Sequence, residues 1–200
     1  MERILSLMIT RILLVLAITG MLVIGAGGCS SATHSSAPAP TGTPTLHPSL
    51  TAPPRAPLVG DVAPNFALST LDGTRIVQLS DFREQAVLLF FWAVTCSPCV
   101  KDLPVIQKFY VQQQAASKQI VVLGVDLDRV SDFVNVATVQ QHMGLTYPIL
   151  VDDHFQARSS YQITDVPLAY FLDRQHLIRS IVSGSLSETI LLKEASSAER

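Results

Sequence analysis

Apolar runs and polar stretches follow one another along the chain in an order that predicts its elements. "NFALSTLDGTRIVQLSDF" holds two short strand-like runs on either side of Asp72-Gly73, a dipeptide that favours a hairpin turn. "AVLLFFWAV" (86–94) is apolar without a break over the length of one strand, which predicts a strand covered on both faces. "QIVVLGVDLD" (119–128) predicts a second strand of that kind. Residues 98–117 between them read as a helix, with Pro104 expected to kink it. Residues 130–144 read as another helix, with Ser131 as N-cap and Gly144 at its end. "YPILVDD" predicts a short strand at an edge or end of the sheet. "PLAYFLD" and "HLIRSIVSG" predict two strands around a tight "DRQ" turn, and "SLSETILLKEAS" a closing amphipathic helix capped by Ser185 or Ser187. A hairpin, then β-α-β-α, then a hairpin and a helix predicts an α/β domain: a mixed central β-sheet with helices on both faces.

Upstream of this domain the texture differs. "MERILSLMITR" carries Arg3 and Arg11, and residues 12–28 contain no charge. That pattern reads as an export signal, or as an uncleaved membrane anchor, since the run just reaches spanning length. Gly25, Ala26, Gly27 and Gly28 precede Cys29 and resemble a bacterial lipobox, with Ala26 where a larger aliphatic residue is usual. Cys29 is therefore the candidate lipidation site, and either arrangement leaves the domain on the extracytoplasmic face of the membrane. Residues 29–57 are rich in Ser, Thr, Ala and Pro, with Pro38, Pro40, Pro44, Pro48, Pro53, Pro54 and Pro57 among them. Such a segment buries too little to offset its ordering entropy and reads as a semi-stiff tether. The expected organisation is a signal or anchor over 1–28, a tether over 29–57 and one domain over 58–200.

The formal net charge of −2, without a long basic run, gives no electrostatic footprint for nucleic acid. Three cysteines allow at most one pair and one leftover. Cys96 and Cys99, in "FWAVTCSPCVKDLP", fall where a strand gives way to a helix. There the unpaired N–H groups and the helix dipole favour an anion, which lowers the pKa of a thiol. One helical turn apart, their Cα atoms would lie about 5–6 Å from each other, within reach of a disulfide. Cys96 would attack a partner's disulfide and Cys99 would resolve the mixed disulfide. A structural zinc site would need four ligands, and His142, His154 and His176 show no ligand spacing. A c-type haem would need histidine where Val100 stands. A purely structural disulfide remains open, although so short a loop gains little chain entropy. No metal and no cofactor are expected.

Five segments in order, "GDVAPNFALSTLDGTRIVQLSDF", "VLLFFWAVTCSPCVKDLP", "VVLGVDLD", "GLTYPILVDD" and "YQITDVPLAYFLD", resemble the TlpA/ResA-like branch of the thioredoxin superfamily. These are membrane-tethered thiol–disulfide oxidoreductases related to the AhpC/TSA redoxins. The resemblance implies a thioredoxin-like fold with an N-terminal β-hairpin extension and an inserted segment before the last hairpin. It implies Cys96 as nucleophile, Cys99 as resolving thiol, and a redox-active disulfide between them. It makes Trp92 the aromatic beside the motif and Val166-Pro167 the cis-proline dipeptide whose backbone pairs with an extended substrate. Trp92, Thr95, Val166 and Pro167 thus form the expected substrate-binding set.

Asp102 stands where this family usually carries glutamate, and would take the proton from Cys99; the alternative is a first-turn acid that faces water and favours the helix dipole. Phe90 occupies the place of the buried acid of thioredoxins. Thr95, Leu168 and Ala169 depart from the family pattern in the expected groove. Asp72, Asp126, Asp128, Asp152 and Asp153 read as structural residues at turns and strand ends. The implied function is disulfide exchange as a reductant, keeping exported protein thiols such as those of apocytochrome c reduced, with electrons supplied by a membrane thiol–disulfide electron donor. The alternatives are a peroxiredoxin-like peroxidase, whose PxxxTxxC pattern is missing, and a copper chaperone using His154, whose CxxxC spacing is missing.

Overall fold

The computed structural model describes residues 55–116, 120–129 and 132–200. Residues 1–54, and with them Cys29, the expected signal and all but the last three residues of the expected tether, lie outside the described residues, as does Ser131. Among the described residues no helix is long and apolar enough to cross a membrane.

The strands are β1 (Ala67–Thr70), β2 (Ile76–Gln78), β3 (Ala86–Trp92), β4 (Ile120–Asp126), β5 (Ile149–Val151), β6 (Leu168–Leu172) and β7 (Ile178–Ser183). The helices are α1 (Ser97–Ala115), α2 (Phe133–Met143), α3 (Gln156–Ser160) and α4 (Glu188–Ala198), with a 3-10 turn over Leu79–Phe82. One mixed sheet holds all seven strands in the order β2-β1-β5-β4-β3-β6-β7. β3, β4 and β5 run parallel, and the hairpins β1–β2 and β6–β7 join antiparallel on either side. The fold is α/β and thioredoxin-like, extended by the N-terminal hairpin.

β3 lies inside the sheet between β4 and β6 and is buried along its whole length. Its side chains alternate between two cores, as the pleat requires. Ala86, Leu88, Phe90 and Trp92 enter one core with Leu103, Ile106 and Phe109 of α1, Val136 of α2 and Leu191 of α4. Val87, Leu89 and Phe91 enter the other, with Phe66, Leu79, Tyr161 and Tyr170. Helices cover both faces unequally: the three long ones line the first core, and the short α3 contributes Ala157 to the second.

Three details differ from the sequence reading. β5 is not an edge strand: β1 pairs antiparallel with it on one side and β4 parallel on the other, so its three residues are buried. The N-terminal hairpin takes the edge instead. α1 runs continuously through Pro104, whose ring lies on an exposed face, losing only the one bond that its missing N–H would give. α2 starts after Asp132 and ends as expected at Gly144, whose φ of 61° is the left-handed closure that glycine adopts without strain. Of the two serines considered for α4, Ser187 is the cap: its side chain accepts the N–H of Ile190.

Candidate active site

β3 ends at the surface of the first core, and the chain turns through Ala93, Val94 and Thr95 before α1 begins. The turn is tied down by its backbone. The Cys96 N–H donates to the Ala93 carbonyl at 3.1 Å, and Leu127 N–H donates to the Trp92 carbonyl at 2.9 Å. Val94 N–H donates to Asp128 Oδ2 at 2.6 Å. Cys96 is the N-cap of α1, with extended φ and ψ of −90° and 99°. Its Sγ accepts the N–H of Cys99 at 3.2 Å, so the sulfur lies against the orphan donors of the helix end. Pro98 occupies the first turn, where its missing N–H costs nothing.

Cys96 and Cys99 are joined by a disulfide, with Cα atoms 5.2 Å apart. Cys96 is half-buried, whereas Cys99 is 0% exposed. Only the first sulfur is therefore open to a partner. Cys96 Sγ also lies 3.5 Å from the carbonyl oxygen of Val166. The Val166–Pro167 peptide is cis. Its loop leads straight into β6, held by the bond from Gly184 N–H to the Pro167 carbonyl at 3.0 Å. Thr95 and Val166 border a cleft of about 400 Å³, which continues past Asp128, Arg129, Phe155 and Arg158. The structure thus brings Cys96, Cys99, Thr95, Val166 and Pro167 together.

Trp92 is placed differently from the expected substrate-binding set. It is 0% exposed and packs in the first core, so its ring offers no surface to a substrate. It lies beside Tyr147 around Gly124, where a side-chain carbon would come within 3.4 Å of the indole nitrogen. Leu168 is half-buried and Ala169 buried, both on β6, and neither lines the cleft.

Asp102 does not face water: it is 4% exposed. Its Oδ2 accepts the N–H of Leu186 at 3.0 Å, and Ser185 adds a side-chain hydrogen bond. Burial raises its pKa above the usual carboxylate range, against the lowering effect of those two bonds. The carboxyl therefore anchors the loop between β7 and α4 to the first turns of α1.

A buried and a half-exposed cysteine at a helix start, beside a Val-Pro loop, form a unit suited to disulfide exchange. Residues 59–181 match the model of the AhpC/TSA family. The chain belongs to the AhpC/TSA family. It is 30% identical over 130 residues to the thiol-disulfide oxidoreductase ResA of Geobacillus thermodenitrificans, covering 65% of this chain and 72% of that protein. Its fold is similar to that of StoA from Bacillus subtilis (TM-score 0.57, 25% identity, 66% of this chain and 97% of that one). It is similar also to the thioredoxin domain of a thiol-disulfide oxidoreductase from Bacteroides vulgatus (TM-score 0.59, 26% identity, 70% of this chain and 97% of that one). Within the AhpC/TSA family the chain is a ResA-like thiol–disulfide oxidoreductase, whose substrates are protein thiols and disulfides.

In this AhpC/TSA protein the sequence reading missed the part that two aspartates play beneath the motif. Asp126 and Asp128 look like strand-end residues, yet both are buried, and Asp128 holds the turn that presents Cys96. The signal was present: two acids at i and i+2 closing an otherwise apolar strand. Asp152, by contrast, has the structural role expected of it, accepting the N–H groups of Ala157 and Arg158 at the start of α3.

Proposed function

We propose that this oxidoreductase works on the extracytoplasmic face of the membrane, tethered through its N-terminal segment, and reduces disulfides in exported proteins, apocytochrome c among the fitting clients. The observation that carries the reading is the half-exposed Cys96 Sγ, set against helix-end amides and 3.5 Å from the Val166 carbonyl. The charge-free run over 12–28, Cys29 as an acylation site and the likeness to ResA support the location.

In the reduced protein the Cys96 thiolate attacks one sulfur of a client disulfide. The Sγ–S bond forms as the client S–S bond breaks, and the leaving client thiolate takes a proton. Cys99 then loses its proton and attacks Cys96 Sγ, releasing the second client thiol and forming the observed disulfide. Two electrons pass to the client in all. Asp102, one turn beyond Cys99, is the proposed acceptor of the Cys99 proton. Thr95, Val166 and Pro167 border the site where the client strand lies, Val166 offering backbone groups for pairing. A membrane thiol–disulfide protein restores the two electrons.

The reduction potential of the Cys96–Cys99 couple, measured on the full-length protein against glutathione, tests the direction of flow. A reductant equilibrates near the thioredoxin end of the known range, about −270 mV. A value near about −120 mV, the oxidant end, overturns the reading.

A further inference from the structure

β4 ends in "VDLD", and its two acids lie under the turn that carries the nucleophile. Asp126 is 0% exposed. Its Oδ1 accepts the N–H of Asp128 at 3.3 Å, while its Oδ2 is buried and receives no N–H among the described residues; its side-chain hydrogen bond is to the carboxyl of Asp128, which needs a proton between the two. The Oδ2 of Asp128 also accepts Val94 N–H at 2.6 Å, two residues before Cys96. In the strand register Asp126 lies opposite Trp92, the last residue before the turn. We propose that Asp126 and Asp128 form a positioning pair for disulfide exchange, one shared proton between their carboxyl groups fixing how firmly Asp128 grips Val94 and thus how the turn presents Cys96. This rests on disulfide exchange at Cys96 and not on the client, the direction of electron flow or the location proposed above.

The surroundings explain why the proton stays. Burial is the main cause that raises the pKa of Asp126, to about 8; the side-chain hydrogen bond and the charge of Asp128 add to it, and Asp132 at the start of α2 adds a little more. Asp126 shares its side of β4 with Gly124, and hence with the buried Tyr147 and Trp92 rings that flank that glycine. Asp152, at the end of β5, has its carboxylate engaged by the Ala157 and Arg158 amides. Arg129, Arg158 and Asp165 border the cleft on the Asp128 side. Two ionised carboxylates so placed repel each other, and one remains protonated.

When Asp126 loses the proton, Asp128 loses its donor and gains a like charge beside it. Its hold on Val94 N–H changes, and a second negative charge appears beneath the sulfur. Both disfavour the Cys96 thiolate. Linkage makes the effect reciprocal, so the charge on Cys96 must also move the ionisation of Asp126.

The experiment is a carboxyl NMR titration of full-length protein carrying 13C-labelled aspartate, oxidised and reduced, beside the pH–rate profile of Cys96 alkylation by iodoacetamide in the reduced protein. The expected result is an Asp126 midpoint that differs between the two redox states, and a second inflection in the alkylation profile at that midpoint. In Asp126→Asn, which still donates to Asp128 but does not titrate, the second inflection is lost and alkylation above it is several-fold faster than in the parent. A merely structural pair would give one Asp126 midpoint in both redox states, and that result overturns the proposal. So does a parent profile with a single inflection. The first readout uses the unsubstituted protein and stands even where the variant folds poorly.

Discussion

Cys96 Sγ and the Val166 carbonyl oxygen lie 3.5 Å apart, although 70 positions separate the two residues along the chain. The contact is made by topology: β3 delivers the motif turn and the antiparallel β6 begins beside it, with Phe91 opposite Leu168. In the reading proposed above, a client strand entering here meets the sulfur and the Val166 backbone together. Cys99 sits behind, 0% exposed. The expected outcome is that Cys96→Ser abolishes reduction of insulin disulfides. Cys99→Ser, in contrast, forms a mixed disulfide with the substrate that persists on a non-reducing gel. Trapping by the Cys96→Ser protein rather than the Cys99→Ser protein would reverse the assigned roles.

Asp102 offers a way to separate an anchor from a proton acceptor. Alanine removes the acceptor for the buried Leu186 N–H, a loss worth about 1–3 kcal/mol. Asparagine keeps an oxygen in that place and should cost less. Chemical denaturation of both variants checks this ordering. If Asp102 also receives the Cys99 proton, Asp102→Asn slows resolution of the mixed disulfide and alters its pH profile. A resolution profile identical to the parent's would reduce Asp102 to the anchor alone.

Much of this arrangement is legible in the sequence, and the remainder is not for physical reasons. β3 and β4 announce themselves because strands covered on both faces need unbroken apolar runs. The cysteine pair is legible because its chemistry depends on a local feature, the start of a helix. The inner position of β5 depends on β1, which arrives from about eighty residues upstream to pair Ser69 with Val151. α3 has five residues and follows Phe155 at a φ of 55°, too short to show a periodicity. The burial of Trp92 is set by Gly124 and Tyr147 on other strands and loops. The grip of Asp128 on Val94 spans 34 positions. Residue type and spacing reveal local chemistry; contacts between distant segments decide which acid becomes an anchor and which a buried proton holder.

Gly124 lets the Trp92 and Tyr147 rings close over β4. A side-chain carbon at this position would stand 3.0 Å from Tyr147 Cε2 and 3.4 Å from Trp92 Nε1. Both rings are fully buried, and protein interiors are close-packed, so neither can swing out into solvent to make room. Gly124→Ala is therefore expected to destabilise the fold by about 1–3 kcal/mol through overpacking. The emission of Trp92, the chain's one tryptophan, should change with it. An unchanged denaturation midpoint together with unchanged emission would show that the rings have room.

The buried proton on Asp126 has a consequence for stability whose sign is fixed. Its folded pKa, raised by burial and Asp128 to about 8, stands above the unfolded value of about 3.9. Below the lower value both states are protonated, and Asp126 costs the fold nothing. Between the two the folded state holds a proton that the unfolded state has released, so stability falls as pH rises, by at most about 1.4 kcal/mol per pH unit for one group. Above the upper value the loss is complete. Asp61, Asp72, Glu188 and Glu194 are held by hydrogen bonds below the usual carboxylate range, so their own contributions are complete before this window is well entered. Urea midpoints taken from about pH 5 to about pH 9 should thus decline in the parent protein and decline less in Asp126→Asn, which carries no titrating group there. Parallel curves for the two proteins would mean that Asp126 enters the folded state already ionised, at no energetic cost.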